Sequence, residues 1–453
     1  MKTRIGIIGI VTLVFMAIVV ACTPAAAPTP TPTAPAKAAP APTTAAAPAA
    51  TPTAAAPAAK PTEAPAAKPA VTTPIKIGFL TPLVGVYASL GADMRDGFLL
   101  YLDQKGNTLA GRKVEVIVED TEVKPDVGLT KAKKLIERDK VNMLAGVISS
   151  GVAAGIADYV TSQKTPLMLT NAGDDPLTQQ KASPYIFRIS FANSQNSMPL
   201  GEFAYKKGYR TAVLVASDYP AGWHHTGGFA RTFTEAGGKI IQEIYYPLGS
   251  PDLAPFITTI KQDANVVHTF SAGADGLKFV TQYAEYGLKG KIPLLCNWCT
   301  TEDMLDKEGD AAVGVVNGYP FAPSLDRAQT KAFVEAFTKK YNRPVPPQAE
   351  FGYTGAMAID AALQATKGNI EDVDAFIKAL EGVQIEAPRG PIKFDKYHNV
   401  VQNIYITEVK KVDGKLVNAV VETAQNASQF WKWSPEDYLK MTQYADLKGK
   451  WVK

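Results

Sequence analysis

Short apolar runs alternate with amphipathic segments along the chain from residue 75 onward. Ile75–Leu80 has the nearly continuous apolar pattern of a buried strand, and the apolar residues of Leu90–Gln104 fall on one face of a helix. Gly, Pro or Asp stands at most of the junctions that follow. The next predicted elements are strand Val114–Val118, helix Leu129–Arg138, strand Val141–Ile148, helix Val152–Gln163 and strand Pro166–Leu169.

The alternation restarts after a further apolar run, Tyr185–Ile189. Strands that are apolar throughout are typical of parallel sheets covered by helices on both faces, and right-handed crossovers then give doubly wound domains. We therefore predict an α/β protein with two doubly wound parallel-sheet lobes. A solenoid is the alternative architecture, but no segment repeats at a fixed period. The second series is helix Met198–Lys207, strand Ala212–Ala216, helix Gly228–Ala236, strand Lys239–Tyr245, helix Pro255–Lys261 and strand Val266–Phe270.

The residues before this alternating part have a different composition. Lys2 and Arg4 precede an uncharged run from Ile5 to Ala21, which is the pattern of an export signal. We predict a signal peptide over residues 1–21, with a short uncleaved membrane anchor as the alternative. Either interpretation places the rest of the chain outside the cytoplasm. The run ends in Val19-Val20-Ala21-Cys22, which resembles the lipobox of bacterial lipoproteins, and the resemblance implies lipidation of Cys22.

Residues 22–74 form a third compositional part. Residues 23–74 hold 14 of the 33 prolines of the chain among Ala and Thr, with no large apolar side chain before Val71. Such a segment buries too little apolar surface to offset the entropy lost on ordering, so we predict a disordered tether with polyproline II character. Fully extended, it would reach on the order of 160 Å. An O-glycosylated stalk is an alternative with the same spacer role.

Charge and motifs exclude several functions. Five of the 47 basic residues and one of the 43 acidic residues precede residue 75, which leaves 42 of each sign in the body. A neutral body lacks the basic surface of a nucleic-acid-binding protein. The chain has no P-loop, dinucleotide-binding or nucleophile-elbow motif. Only four histidines occur, and the adjacent pair His224 and His225 diverges on a helix. We therefore expect no catalytic residues, no metal site and no cofactor.

Cys296-Asn297-Trp298-Cys299 is a sharp local motif. In an exported protein, two cysteines at this spacing can form a local disulfide or a redox pair, and two reduced, buried cysteines are the remaining alternative. We expect the disulfide between Cys296 and Cys299, and the reduced pair comes second. The short apolar segment before Cys296 is too small a piece of a thioredoxin-like unit to support a redox catalyst.

Five further segments resemble one known family in their residues and in their order along about residues 75–420. With the lipobox and the tether before them, they resemble the branched-chain amino acid (Leu/Ile/Val) binding proteins of ABC importers, in their lipoprotein form. The five segments are Ile75–Leu83, Leu144–Gly151, Pro166–Gly173, Ser183–Arg188 and Gln282–Leu288.

This resemblance implies the type I periplasmic-binding fold, in which two α/β lobes joined by three crossovers close on a ligand. The crossovers are expected near Ile189–Ser190, Tyr319–Pro323 and Asp395–Val401. Lobe one is then 75–189 plus 323–394, and lobe two is 190–322 plus 395–453. The implied partners are a small-molecule ligand, the permease and ATPase subunits of an importer, and a membrane reached through the lipid anchor. We expect a monomer that binds no nucleic acid.

Polar residues follow two predicted strands of lobe one. Ligands of open α/β sheets bind beyond the carboxyl ends of the strands, where helix N-termini present free N–H groups to anions. Ser149 and Ser150 follow Val141–Ile148 at a helix start, and Asn171 follows Pro166–Leu169. The resemblance implies that Ser150 and the positions Ala172, Gly173 and Asp174 receive a ligand carboxylate. Plain N-capping by the serines is the alternative.

The second predicted group of ligand-binding residues is aromatic. Trp298 stands near the position at which amino acid binders of the family place a Glu for the ligand ammonium. Further aromatic residues stand in predicted loops or helix starts, although each alone could belong to the core. Asn171-Ala172-Gly173 with Asp175 resembles relatives associated with aromatic acids. The aromatic candidates are Tyr87, Tyr219, Trp223, Phe270, Trp298 and Tyr353.

These patterns predict an extracytoplasmic solute-binding lipoprotein of an ABC importer rather than an enzyme. The expected ligand is a small carboxylate with an apolar or aromatic body, either an amino acid or an aromatic acid. A ligand-sensing receptor module that feeds a partner signalling protein is the alternative function. The aromatic segment Phe430–Asp437 and the short helix predicted after it have no functional assignment from the sequence.

Overall fold

A computed structural model describes residues 73–452 of the chain. The predicted signal peptide, Cys22 and the tether as far as residue 72 lie outside the described residues, so the predictions made for them stay predictions. Within residues 73–452, no helix is both long enough and apolar enough to span a bilayer.

The first sheet has six strands in the order β2-β3-β1-β4-β5-β6. Every neighbouring pair is parallel except β2 and β3, which are antiparallel at one edge. Because β3 lies on one side of β1 and β4 on the other, the strand order reverses at β1. Such a reversal opens a crevice at the carboxyl ends of the strands. The strands are β1 (Ile75–Thr81), β2 (Thr108–Leu109), β3 (Arg112–Asp120), β4 (Met143–Gly146), β5 (Leu167–Leu169) and β6 (Ile186–Arg188).

The second sheet has nine strands, eight of them in the order β12-β13-β14-β11-β10-β9-β7-β8, while β15 pairs with β14. The strands from β8 to β11 run parallel, and the strand order reverses at β7 as it does at β1. The other pairs are antiparallel. The strands are β7 (Thr211–Ser217), β8 (Lys239–Tyr246), β9 (Val266–Phe270), β10 (Leu294–Asn297), β11 (Val316–Tyr319), β12 (Gln384–Ala387), β13 (Gly390–Phe394), β14 (Val400–Val412) and β15 (Lys415–Ala427).

Thirteen α-helices accompany the two sheets within the described residues. A π-helical turn, Lys134–Arg138, continues α2. Helix α10 packs along α1 and so belongs with the first sheet, whereas the short helix α13 packs on α5 beside the second sheet. The helices are α1 (Ala88–Gln104), α2 (Pro125–Lys133), α3 (Ser150–Ser162), α4 (Asn193–Lys206), α5 (Pro220–Glu235), α6 (Ala254–Ile257), α7 (Ala274–Glu285), α8 (Glu302–Glu308), α9 (Ala328–Tyr341), α10 (Pro347–Ala365), α11 (Val373–Glu381), α12 (Pro435–Tyr438) and α13 (Tyr444–Leu447).

The predicted α/β class with two lobes is confirmed, and the long β14–β15 hairpin adds an antiparallel part to the second sheet. We call the first sheet with its helices the first lobe, and the second sheet with its helices the second lobe. The chain passes from the first sheet to the second after β6, returns to helices of the first lobe after β11, and enters the second sheet again at β12. The division of residues between the lobes given by the sequence stays a prediction.

The predicted starts of two helices are late by five residues or more. Helix α4 begins at Asn193 rather than Met198, because the polar run Asn193–Ser197 and the following Pro199 have the composition of a loop. In the structure, all five polar side chains of that run are buried. Helix α5 begins at Pro220 rather than Gly228, since its first two turns contain Gly and two histidines.

Candidate ligand-binding cavity

A cavity lies between the lobes at the carboxyl ends of the parallel strands of both sheets. It encloses about 320 Å³ of empty space, including its opening to solvent. Its position agrees with the rule for ligands of open α/β sheets, because residues that follow β1, β4, β5, β7, β9 and β10 line it. The fifteen lining residues are Tyr87, Leu90, Ile148, Ser150, Asn171, Gly173, Phe191, Asn193, Tyr219, Ala221, His225, Phe270, Ala272, Trp298 and Gln348.

The first lobe contributes the amino end of α3. Ser149 is the N-cap of this 13-residue helix, and its Oγ accepts a hydrogen bond from Val152 N at 3.4 Å. Ser150, the first helical residue, faces the cavity, and its Oγ accepts from Asn193 Nδ2 at 3.1 Å. The backbone N–H groups of Ser150 and Gly151 have no partner among the described residues. Free N–H groups and the helix dipole therefore favour an anion at this end of the cavity.

Asn171 and Gly173 extend the same polar wall. Asn171 Nδ2 donates to the carbonyl of Ile148 at 3.1 Å, while its Oδ1 is buried and unpartnered among residues 73–452. A Cβ on Gly173 would collide with Asn193 Oδ1 and with the ring of Phe191. Glycine is therefore needed here for the close approach of the two lobes.

The second lobe contributes aromatic rings. Trp298 directly follows β10 with φ at 73°, in the left-handed region, and its ring stacks on Phe191 with centroids 4.8 Å apart. Phe270, the last residue of β9, stacks on the imidazole of His225 at 4.5 Å. This wall therefore presents flat apolar faces to the cavity.

His225 is held in one neutral form. Trp298 Nε1 lies 3.2 Å from His225 Nε2, and an indole nitrogen can only donate, so Nε2 is the acceptor. The imidazole proton then sits on Nδ1, which donates to Ser197 Oγ at 2.8 Å. Burial, with smaller contributions from His268 and His224, holds the pKa of His225 well below 6.5. The second wall therefore carries no charge at neutral pH.

Two tyrosines connect the lobes beside the cavity. Tyr87 is the N-cap residue of α1 in the first lobe, and Tyr219 is the N-cap residue of α5 in the second. Their hydroxyl oxygens lie 2.7 Å apart, which is a hydrogen bond. Burial is the main cause that raises the pKa of both phenols, so both stay protonated. This hydrogen bond therefore links the two lobes beside the cavity.

No residue that lines the cavity, among those the structure describes, carries a formal charge at neutral pH. A ligand carboxylate would meet the α3 amino end and neutral donors. A ligand ammonium would meet no carboxylate, and burying an unpaired charge is costly. The electrostatics of the cavity therefore favour an acid without an ammonium group.

Three predicted residues of the first lobe do not line the cavity. Ser149 caps its helix, as the alternative interpretation held. Ala172 is fully buried, and its N–H donates to the carbonyl of Val147 at 2.9 Å. Asp174 points away, with Oδ1 at 3.5 Å from His224 Nδ1, and burial raises the pKa of its carboxyl while His224 opposes the shift.

Trp223 and Tyr353 were predicted to bind the ligand, but neither residue lines the cavity. Trp223 lies two residues from Ala221 and from His225, hence on the opposite face of α5, and its Nε1 donates to Asp218 at 2.8 Å. Tyr353 lies within α10, packs against Tyr101 and donates its hydroxyl to Gln104 at 2.7 Å. The other predicted residues, Tyr87, Ser150, Asn171, Gly173, Tyr219, Phe270 and Trp298, come together there.

The sequence interpretation missed eight lining residues. Phe191 and Asn193 belong to the segment after β6 that it assigned to a crossover and a loop. His225 was considered only as a metal ligand, although its i, i+4 spacing from Ala221 places both on one face of a helix. Gln348 is the second residue of α10, a helix for which no bounds were predicted. Leu90, Ile148, Ala221 and Ala272 fill the remaining positions.

The two cysteines flank this wall. Cys296 lies in β10, Cys299 follows Trp298, and both side chains are fully buried. The structure pairs them, with Cα atoms 6.1 Å apart, inside the range found for disulfides. The disulfide therefore closes the short loop that carries Trp298.

Comparisons with known proteins agree with this architecture. The family model described as periplasmic binding protein matches residues 74–415. The Leu/Ile/Val-binding protein homolog 6 of Brucella melitensis is 30% identical over 360 residues, which cover 77% of this chain and 91% of that protein.

Two solved structures extend the match. An ABC transporter substrate-binding protein from Sphaerobacter thermophilus is 36% identical, with a TM-score of 0.74 over 79% of this chain and 99% of that chain. An ABC transporter solute-binding protein from Rhodopseudomonas palustris BisB5, solved with 3,4-dihydroxy benzoic acid, is also 36% identical, with a TM-score of 0.75 over 78% of this chain and 98% of that chain. The chain thus belongs to the type I periplasmic binding protein family.

Proposed function

We propose that this protein is the solute-binding component of an ABC importer and that its ligand is a small aromatic carboxylate. The observation that carries the proposal is the division of the cavity into two uncharged walls. One wall has the free N–H groups of the α3 amino end, and the other has stacked aromatic rings. An aromatic acid offers a carboxylate to the first wall and a flat ring to the second.

The solved relatives support this choice of ligand. The Rhodopseudomonas palustris protein was solved with a dihydroxybenzoic acid. The curated relatives carry the name Leu/Ile/Val-binding protein homolog, which makes a branched-chain amino acid the second candidate. The cavity argues against that candidate, because no Asp or Glu within residues 73–452 lines it to pair with an ammonium.

The proposed site consists of Ser150, Asn171, Gly173 and Asn193 for the carboxylate, with Trp298, Phe270, Phe191 and His225 for the ring. Gly173 contributes close approach. Ser150 contributes its hydroxyl and backbone N–H, and Asn171 and Asn193 each keep one amide proton beyond the hydrogen bonds that they donate to Ile148 and Ser150. The ligand enters while the lobes are apart, and closure brings Tyr87 to Tyr219. Closure then signals occupancy to the membrane subunits.

The proposed setting is the outer side of a cell membrane. The export signal, Cys22 and the tether would hold a monomer there by acyl chains, each buried CH₂ contributing about 0.8 kcal/mol. The partners are the permease and ATPase subunits of an importer. A sensor that passes the same closure to a signalling partner is the second candidate function, since both would bind the same ligand.

Isothermal titration of the purified protein tests the ligand class. Benzoate and 4-hydroxybenzoate are compared with leucine and with benzylamine, which keeps the ring but replaces the acid with an ammonium. We expect heat of binding for the acids and none for benzylamine. Tight binding of leucine without binding of benzoate would contradict the proposal.

A further inference from the structure

A broad groove lies at the outer end of the second lobe, away from the ligand cavity. The amino ends of β10 and β11 form it, whereas the cavity is at the carboxyl ends of the parallel strands. It encloses about 1190 Å³ of empty space, including its wide opening to solvent. Its floor is apolar, with Ile292, Leu294 and Val315 buried at the base.

Three lysines stand around this groove. Lys207, Lys289 and Lys291 are exposed, and none of them forms an ion pair within residues 73–452. The acid that lines the groove, Glu408, is paired with Lys410 Nζ at 3.3 Å. The rim therefore has a local positive charge, although the body as a whole is neutral.

Exposed apolar side chains also collect at this end of the second lobe. Val313 and Val421 line the groove with 37% and 39% of their surface exposed. Tyr286, 48% exposed, lies in the turn that leads to Lys289. Large exposed apolar side chains beside unpaired lysines are typical of surfaces that meet a membrane interface.

We propose that this groove docks on the surface of a bilayer that contains anionic phospholipid. An anionic phospholipid combines a negative headgroup with apolar chains, which matches lysines on the rim and apolar side chains inside it. The charge complementarity selects lipid over the chain's own tether, since residues 23–72 carry Lys37, Lys60 and Lys68 against Glu63 alone. A basic tether would be repelled by a basic rim.

The segment that precedes the described body bears on the proposed contact between the groove and a bilayer. The described body begins in the first lobe, where Thr73 accepts hydrogen bonds from Arg112 at the amino end of β3. Fifty residues separate Cys22, the predicted point of lipidation, from Thr73. A second contact, through the outer end of the second lobe, would orient the body and leave the ligand cavity free.

Vesicle co-sedimentation tests the proposal with residues 73–453. This part corresponds to nearly complete solved relatives and therefore folds on its own. Vesicles of phosphatidylcholine alone are compared with vesicles that contain phosphatidylglycerol, at low and high salt. We expect binding to the anionic vesicles only, and loss of that binding at high salt. Absence of binding to anionic vesicles at low salt would overturn the proposal and leave an acidic protein as the partner to seek.

A matched pair of triple variants locates the surface. Lys207→Glu with Lys289→Glu and Lys291→Glu should weaken binding by at least about 100-fold, because each lysine near an anionic surface contributes about fivefold. The control, Lys113→Glu with Lys339→Glu and Lys378→Glu, changes the net charge equally at exposed lysines without ion pairs in the first lobe. It should weaken binding less than threefold. Equal losses in both variants would show a response to net charge alone and overturn the groove as the site.

The apolar part of the groove is tested by Val313→Ser with Val421→Ser. We expect several-fold weaker binding to anionic vesicles with the salt dependence unchanged, while unchanged binding would reduce the surface to its lysines and overturn the amphipathic contact. Benzoate titration of every variant is the second readout. None of these residues lines the ligand cavity, so benzoate affinity should stay the same, and a failure of the ligand proposal is distinguishable from a failure of this one.

Discussion

The two walls of the ligand cavity differ in chemistry, although both are built at the carboxyl ends of parallel strands. The first wall consists of small polar groups around the amino end of α3, where Ser150 and Asn171 lie. The second consists of rings, with Trp298 and Phe270 directly after or at the end of their strands. One scaffold therefore has a polar wall and an aromatic wall, which in the proposed function receive the carboxylate and the ring of the ligand.

The difference between the walls identifies what each can select. A helix amino end stabilises any small anion, so the first wall selects for charge. Stacked rings favour a flat, polarisable face, so the second wall selects for shape. If this division is correct, substitutions in the two walls should change different properties of the ligand series.

The largest effect is expected from a charge placed in the first wall. Ser150→Asp should be tolerated by the fold, because an acid in the first turn of a helix is favourable. It should weaken benzoate binding by about 1000-fold, since two like charges about 4 Å apart repel by roughly 4 kcal/mol at an effective dielectric constant of 20. Isothermal titration measures the loss.

The neutral variant Ser150→Asn is the matched control for Ser150→Asp. It has the same size as Asp without the charge, so its loss should be much smaller. Thermal unfolding of both variants checks that α3 is intact. Equal losses for Asp and Asn would show that shape, and not charge, governs the first wall.

A smaller effect is expected from the second wall. Trp298→Leu removes the ring and keeps an unbranched Cβ at the same positive φ. We expect benzoate binding to weaken by about 30-fold, which corresponds to roughly 2 kcal/mol of stacking and burial. Cyclohexanecarboxylate, which has no flat ring, should lose much less. Trp433→Leu, outside the cavity, serves as the control. If Trp298→Leu weakened the binding of benzoate and cyclohexanecarboxylate equally, the second wall would not select for a flat ring.

A still smaller effect is expected from the hydrogen bond between Tyr87 and Tyr219, which links the two lobes. Tyr87→Phe removes one hydroxyl of the 2.7 Å pair, and a net hydrogen bond contributes about 1 kcal/mol, or about fivefold in affinity. Tyr219→Phe should have a similar effect. The double variant should be no weaker than either single variant, because both lose the same bond. Additive losses in a double-mutant cycle would mean that each hydroxyl binds the ligand separately.

The sequence predicted the scaffold better than the site. Apolar periodicity located most strands, because a buried parallel strand is apolar on both faces. It missed the start of α4, where Asn193 to Ser197 are buried polar residues that a local pattern assigns to solvent. Asn193 is also a lining residue, so the same error removed part of the first wall.

The aromatic candidates show which site residues can be located from the sequence and which cannot. Tyr87 and Tyr219 stand at helix starts after strands, and position in the fold was enough to place them. Trp223 required the phase of α5, which a helix predicted to begin at Gly228 did not provide. His225 required its contacts with Trp298 and Ser197, which are 73 and 28 residues away in sequence. Tertiary hydrogen bonds of this kind leave no periodic signal.

The smallest predicted effect is a pH dependence of ligand affinity. It comes from a carboxyl outside the cavity and not from either wall. His225 is kept neutral by burial, which lowers its pKa, so neither wall gains a charge between pH 8 and pH 6. Asp93 on α1 is different: burial, and next the facing Asp303 of α8, raise its pKa to about 7 although Arg343 opposes the shift. These two acids come from different lobes.

Protonation of Asp93 should therefore favour the closed form. Its pKa is raised when the lobes are together, so closure takes up a proton and affinity for benzoate should rise as pH falls from 8 to 6. We expect about a threefold rise, because part of the burial exists before closure and each pKa unit is worth at most tenfold. A ligand carboxylate stays ionised throughout this range. Asp93→Asn should give a flat profile, whereas His225→Asn should keep the rise. If His225→Asn alone abolished the rise, the second wall would carry the titrating charge, and its description as a neutral, shape-selecting wall would be wrong.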